Sequence, residues 1–316
     1  MTTYPAFTAK AEKATQVWLM TKEQWEAGPD LPAPLSQMAK AQGFKGAAGQ
    51  TVLTANADAQ IDAVLFGLGD GSDILSVAAL SARLPEGDYE IAHVDARSFA
   101  QIAAGWADGA YRFDRYLETK AKPPRLVIGE GEAADAATKE ATAIHRLRDL
   151  INTPAEDMGP VQIHGTISDL AERYGATLDT IIGDALLDQN YPLVHAVGRA
   201  GPQEPRMMEL SWGSESDPEL AIVGKGVSFD TGGLNLKTGG YMRIMKKDMG
   251  GSAHAIALAE LVMAANLSVR LKLYIPSVEN SISGTAFRPG DILQSRKGLS
   301  VEIDNTDAEG RLILAD

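Results

Sequence analysis

Apolar residues recur along this chain in two rhythms. Short runs at Val17–Met20, Thr51–Thr54, Ala63–Phe66, Ile91–Val94 and Arg125–Ile128 have the length and residue types of strands. Between them, Asp73–Ala82 and Ala96–Ala107 read as helices. Strands alternating with helices predict a layered α/β domain with a largely parallel sheet.

Pro123-Pro124 and Gly129-Glu130-Gly131 punctuate the end of that domain. Ala133–Leu150 follows, rich in Ala, Glu, Lys and Arg, with Ala141, Ile144, Leu147 and Ile151 at helical spacing. This pattern predicts a long connecting helix. It should stop before Pro154, because a residue ahead of proline is pushed out of helical geometry. A second α/β region is marked by strand Leu220–Val223, helix Ser252–Ala265, strand Val269–Ile275 and strand Leu299–Ile303. The expected organisation is an N-terminal α/β domain over 1–132, a linker helix over 133–156 and a C-terminal α/β domain over 157–316.

Composition narrows the function. A chain of 316 residues that is 45% hydrophobic builds a sizeable core and favours two domains over one. With 29 Lys+Arg against 42 Asp+Glu, the net charge is -13, which repels nucleic acid and anionic membranes overall. The absence of cysteine excludes disulfides, thiolate zinc sites and a cysteine nucleophile. The opening Met1-Thr2-Thr3-Tyr4-Pro5 has no basic segment leading into an apolar stretch, so no secretory signal is read. The most apolar long segment, Ala253–Leu267, carries His254 and Glu260 and is too short and polar to span a bilayer. The expectation is a soluble, cytoplasmic protein without a membrane partner.

Three segments carry candidate chemistry. In Val223–Lys237 an apolar strand runs into a loop with two lysines, Lys225 and Lys237, one aspartate, Asp230, and four glycines. Ligands of open α/β sheets sit at the carboxyl ends of strands; a surface turn with solvated lysines is the alternative. A phosphate-cradling loop fails here, since Gly224-Lys225 is followed by Gly226 and the earlier glycine position holds Glu219. Gly129-Glu130-Gly131 lacks the third glycine of a dinucleotide loop. In Met245–Gly251, Asp248 precedes a helix start, where it either caps the helix or binds a ligand. In Asn305–Arg311, an extended backbone would turn Asp307, Glu309 and Arg311 to one side, costly without a cation; a solvated ion pair on a loop is the alternative.

Together these segments offer carboxylates at Asp230, Asp248, Asp307 and Glu309, a set that suits Mg, Mn or Zn, and several around one point suggest two ions. No HExxH helix or Gly-x-Ser-x-Gly elbow occurs, which removes zincin chemistry and weakens a serine hydrolase. His254, the one histidine near these segments, is read as packing or surface.

The run Lys225-Gly226-Val227-Ser228-Phe229-Asp230-Thr231-Gly232-Gly233 through Lys237, then Met245-Lys246-Lys247-Asp248-Met249-Gly250-Gly251, then Asn305-Thr306-Asp307-Ala308-Glu309-Gly310-Arg311 resemble the three metal-site motifs of the cytosol (leucyl) aminopeptidase family. Val278-Glu279-Asn280 with Arg288-Pro289-Gly290-Asp291 resembles the family's connecting stretch. Arg148-Asp149-Leu150-Ile151-Asn152-Thr153-Pro154 resembles its linker, and Tyr111-Arg112-Phe113 an element late in its N-terminal domain. The resemblance spans roughly the second two-thirds of the chain.

The resemblance implies a C-terminal catalytic metallopeptidase domain with a central mixed sheet. It implies a dinuclear metallo-aminopeptidase that removes leucine-like apolar residues from peptides with a free N-terminus. Lys225, Asp230, Asp248 and Glu309 would hold one ion and Asp230, Asp307 and Glu309 the other, with Asp230 and Glu309 bridging. Two divalent ions per subunit are implied, Mn or Zn, with Mg or Co as further options. Lys225 would ligate in its neutral form, so its pKa should be strongly depressed. Lys237 would stay charged and stabilise the oxyanion, and Arg311 would hold a bicarbonate that shuttles the proton. The substrate's amino terminus would bind near Asp248. Met245 would line the pocket for the first side chain, with plain core packing as the alternative. A homo-hexamer is implied as well. Family members continue well beyond the position of Asp316, so the C-terminal part of the domain is expected to be missing. Two other functions fit less of the pattern. A DNA-binding or inactive binding module of the same family is one, with the net charge arguing against DNA, and a dinuclear phosphatase, the other, leaves Lys225 and the ordered motifs unexplained.

Overall fold

A computed structural model of the chain describes residues 5–73, 75–93, 98–117 and 122–316. The chain divides into two compact units, Met1–His145 and Arg146–Asp316. Both are mixed α/β.

The first unit contains strands β1 (Phe7–Thr8) and β2 (Thr15–Met20), helices α1 (Lys22–Glu26) and α2 (Ala33–Ala41), and strands β3 (Thr51–Ala55) and β4 (Ile61–Gly67). Helix α3 (Ala78–Ser81), strand β5 (Asp88–His93), helix α4 (Phe99–Ala110) and strand β6 (Arg125–Val127) complete it. Its sheet runs β1-β6-β5-β2-β4-β3 and is parallel except for β3 against β4. Strand β4 is apolar on both faces because both are covered. Val64 and Phe66 join Leu80, Ile102 and Trp106 in one core, while Ala63 and Leu65 join Leu35, Ala39 and Phe44 in another.

The expected strands 17–20, 51–54, 63–66 and 125–128 fall on β2, β3, β4 and β6. The expected strand Ile91–Val94 falls on β5, with Val94 outside the described residues. The expected helix Ala96–Ala107 falls on α4, with residues 96 and 97 outside them; Ser98 starts it by a reciprocal capping bond with Gln101. The expected helix Asp73–Ala82 shrinks to α3, with residue 74 outside the described residues. Asp73 accepts a bond from the Leu75 N–H, the turn geometry that aspartate favours.

Helix α5 (Glu132–Asn152) carries the expected connecting pattern. Ala137 and Ala141 pack in the first unit's core, and Leu147, Leu150 and Ile151 pack in the second's.

The second unit continues with α6 (Pro160–Tyr174), β7 (Thr177–Ile182), α7 (Ala185–Asp188), α8 (Pro192–Gly198), β8 (Arg206–Trp212), β9 (Glu219–Val223) and β10 (Gly226–Asp230). A 3-10 helix, Tyr241–Met249, leads into α9 (Gly250–Ala264) and β11 (Arg270–Asn280). Strands β12 (Ile292–Gln294) and β13 (Ser300–Glu302) pair with each other, and a 3-10 turn, Thr306–Ala308, leads into α10 (Glu309–Ala315). The sheet is mixed. β8 lies antiparallel along one edge of β11, and β7 antiparallel to β8. Along the other edge of β11, β9 pairs with Arg270–Tyr274 and then β10 pairs with Ser277–Asn280, both parallel. One face of the sheet packs Leu271, Leu273 and Ile275 against Ile163, Ile167 and Ile256. The opposite face packs Val227 and Val278 against Leu193, Phe287, Leu312 and Ile313.

Two expectations are corrected. Gly226–Asp230, read as loop, is strand β10. The segment Asn305–Arg311, weighed as extended, is helical from Thr306 onward, so Glu309 and Arg311 diverge by about 200° around the axis rather than sharing a side.

Candidate metal centre

The break between β9 and β10 places Lys225. Gly224 N–H donates to Tyr274 O at 3.0 Å, and the Lys225 carbonyl accepts from Ser252 N–H in α9 at 2.8 Å. The side chain then reaches the first turn of α10. Its Nζ lies 2.7 Å from Asp248 Oδ2 and 2.9 Å from Glu309 Oε1. Asp248 thus pairs with Lys225 rather than capping α9, whose N-cap position is held by Met249.

Asp230 ends β10 and is 3% exposed. Its Oδ1 accepts from Gly232 N–H and from Asn280 Nδ2, each at 2.8 Å. Its Oδ2 lies 2.8 Å from Lys237 Nζ, which also pairs with Asp307 Oδ1. The loop that returns Lys237 to Asp230 needs Gly232 at φ 87°, in the left-handed region. It closes by Lys237 N–H donating to Thr231 O at 2.9 Å. Buried Thr306 braces it: its N–H donates to Asn235 Oδ1 at 2.9 Å and its Oγ1 to Gly232 O at 2.6 Å. Asn305 caps the turn below by accepting from Asp307 N–H at 2.8 Å.

Ligand oxygens of Asp230, Asp307 and Glu309 all lie within 4.8 Å of one another. Burial pushes the Asp230 carboxyl up, but Lys237 with the Gly232 and Asn280 donors holds it below its ordinary value. Asp307 and Glu309 are raised, chiefly by burial, with the Asp230 charge adding to it. Burial lowers both lysines, but the carboxylates reverse this: Asp248 and Glu309 raise Lys225, and Asp230 and Asp307 raise Lys237. The charged state expected of Lys237 is what its partners favour. For Lys225 too, its carboxylate partners Asp248 and Glu309 favour the ammonium. A neutral Lys225 needs positive charge supplied to those carboxylates by another group.

The donor set fits divalent cations. Four carboxylates face two ammonium groups, which leaves two negative charges over. Glu309 is 1% exposed, and its Oε2 is buried with no hydrogen-bond partner among the described residues. Buried polar oxygens are seldom left so, and an all-oxygen cluster of this size suits a hard or borderline ion.

Of the remaining sequence candidates, Met245 is half-buried on the 3-10 helix. Arg311 is exposed and makes no ion pair with Asp307 or Glu309 among the described residues. His254 is exposed, its Nδ1 bonded to Gly250 O at 2.7 Å, in line with a surface reading. Asn280, Thr306 and Asn235 were not singled out from the sequence as site residues. The available signal for Asn280 was an amide closing an apolar strand, where a buried polar group needs a partner.

Residues 145–316 match the family described as "Cytosol aminopeptidase family, catalytic domain", and residues 14–129 match "M17 aminopeptidase, N-terminal domain". A relative described as "Probable cytosol aminopeptidase", from Streptomyces avermitilis, is 37% identical over 238 residues, covering 70% of this chain and 46% of the relative. The crystal structure of a cytosol aminopeptidase from Coxiella burnetii is 37% identical with a TM-score of 0.88, covering 97% of this chain and 68% of that one. A bottromycin maturation enzyme solved in complex with Mn is 30% identical with a TM-score of 0.82, covering 97% of this chain and 68% of that one. The chain thus spans about half the length of the curated relatives it matches. With both units matched in order, the chain belongs to the cytosol aminopeptidase family.

Proposed function

We propose that this chain acts in the metal-dependent hydrolysis of the amino-terminal peptide bond of peptides, with a preference for leucine-like apolar residues. One observation carries the proposal: in a member of the cytosol aminopeptidase family, three carboxylates converge within 4.8 Å beside two lysines. Lys225, Asp230, Asp248 and Glu309 are assigned to one divalent ion, and Asp230, Asp307 and Glu309 to a second. Mn or Zn is the first choice, Mg or Co the second; the neighbour solved with Mn supports manganese.

Such ions, when bound, supply Lewis acidity and water of lowered pKa. The chain's own side chains do the rest. Lys237, held charged by its partners, is assigned to the negative charge that develops on the scissile carbonyl oxygen. The surplus negative charge of the cluster favours an incoming ammonium, and Asp248 is assigned to the substrate's amino terminus. Met245 is assigned to the pocket for the first side chain. Arg311, an exposed guanidinium with no ion pair among the described residues, is assigned to hold bicarbonate as proton carrier. A homo-hexamer in the cytoplasm completes the proposal; the names of the relatives support the compartment.

The test is hydrolysis of leucine amide by the purified chain with Mn, alongside metal analysis. Divalent metal in the protein and activity lost in Glu309→Ala are expected. Normal hydrolysis by Glu309→Ala, or protein that takes up no divalent metal, overturns the proposal.

A further inference from the structure

We infer that Asn280 is a positioning residue of the metal centre: its side-chain amide fixes Asp230 relative to the Thr306–Glu309 turn and thereby sets how tightly the centre holds a divalent cation. This rests on the metallo-aminopeptidase proposal above.

Asn280 is fully buried at the carboxyl end of β11. Its Nδ2 donates to Asp230 Oδ1 at 2.8 Å and to Thr306 O at 3.0 Å. One nitrogen thus joins the end of β10 to the turn that carries Asp307 and Glu309. The Asn280 main chain holds the same place, since its carbonyl accepts from Thr231 N–H at 3.0 Å and Thr231 Oγ1 at 2.9 Å.

The amide's orientation shows which half of it is used. Asn280 Oδ1 is buried without a hydrogen-bond partner among the described residues. Turned over, the amide would set that oxygen against Asp230 Oδ1 and Thr306 O, both acceptors, so only one orientation fits. A merely space-filling side chain here needs no polar atom at all, whereas this one leaves an acceptor idle to keep two donors in place. Gly233, at φ 63°, closes over it: a Cβ there would come 3.0 Å from Asn280 Oδ1 and 2.9 Å from Thr306 Oγ1.

The consequence lies at Asp230. Its Oδ1 is saturated by Gly232 N–H and Asn280 Nδ2, which leaves Oδ2 facing the Lys237 side of the cluster. Without the Asn280 donor, the Asp230 carboxylate is free to turn, and the three converging oxygens lose their common spacing. Partners that orient metal-binding side chains commonly change affinity by about 10- to 100-fold when removed.

The test is Mn titration by calorimetry on the full chain, comparing Asn280→Ala with Val278→Ala. Val278 lies two positions earlier on the same strand, is fully buried, and packs in the apolar core with Val227, Phe287 and Leu312. Asn280→Ala is expected to bind Mn at least tenfold more weakly. Val278→Ala is expected to lower the melting temperature of the metal-free chain while keeping Mn affinity within about twofold. Should Asn280→Ala fail to fold, Asn280→Ser leaves a smaller cavity and carries the same expectation. Equal affinity in the Asn280 variant and the parent, or an equal loss in Val278→Ala, overturns the role of Asn280 while leaving the aminopeptidase proposal standing. A parent chain that binds no Mn overturns both.

Discussion

Gly310 lies against the end of the Lys225 side chain, so close that a Cβ on Gly310 would come 2.6 Å from Lys225 Cε and 2.7 Å from its Nζ. Alanine is the better helix former by about 1 kcal/mol, so glycine in the first turn of α10 is explained by this contact rather than by the helix. The obstructed atoms are the far end of a flexible side chain, which can swing aside. Gly310→Ala should therefore leave stability within about 1 kcal/mol of the parent while driving Lys225 away from Glu309. Activity on leucine amide should fall at least about tenfold, since a misplaced group at a reacting centre costs that much readily. Urea unfolding and a kinetic assay on the same preparation check both halves.

Glu260 of α9 is 3% exposed and receives Arg146 of α5 through two bonds, at 2.8 and 3.3 Å, and Arg173 of α6 at 3.1 Å. Removing the shared carboxylate strands Arg146, whose side chain is only 19% exposed. Glu260→Ala should cost about 2–4 kcal/mol by urea unfolding. Arg173 is far more open to water, so Arg173→Ala should cost less than about 1 kcal/mol. Equal losses in the two variants would contradict this division.

Tyr89 supplies a pH dependence. Its ring is 2% exposed beside Trp106, and burial pushes its phenol up to about 12 from 10.0. The folded chain keeps a proton that the unfolded chain releases first. The stabilisation is complete below pH 10 and disappears as pH rises through about 12, a loss of roughly 2–3 kcal/mol. Tyr89→Phe should lack that alkaline loss. At neutral pH it should give up only the Tyr89 Oη to Pro85 O bond, worth about 1 kcal/mol. Unfolding curves at about pH 9 and about pH 11 measure the difference.

Which parts of this were legible before folding follows from the range of the interactions. The β2, β4 and α5 patterns are local, and their apolar spacing alone places them. Strand β10 was hidden because Gly226 and Asp230 favour loops in isolation; its pairing to β11 overrides that preference. The helix at Glu309–Ala315 was hidden for the same reason, with Gly310 arguing against it locally while Lys225 requires it. Strand β11 runs past Ile275 through Pro276, a residue that ordinarily ends a strand reading. The carboxylates were legible because their chemistry is in their identity. Asn280 was not, because its partners Asp230 and Thr306 lie far away in sequence.

Removal and return of metal test the centre through stability, without any substrate. Four carboxylates held together with two ammonium groups retain two surplus negative charges, which oppose folding of this region. A divalent ion that binds the assembled cluster, and not the unfolded chain, relieves this and shifts the folding equilibrium by mass action. At Mn concentrations about 100 times the dissociation constant, the gain should be about 2.7 kcal/mol. For a unit of this size, that raises the melting temperature by roughly 5–10 °C. Chelation should reverse the rise. Glu309→Gln keeps the size of the buried side chain and removes one negative charge and one anionic ligand, so its metal-free form should melt close to the parent. Its Mn-dependent rise should be mostly lost, because the neutral amide is a poor ligand for the ion. A full Mn-dependent rise in Glu309→Gln would place the binding site elsewhere in the chain.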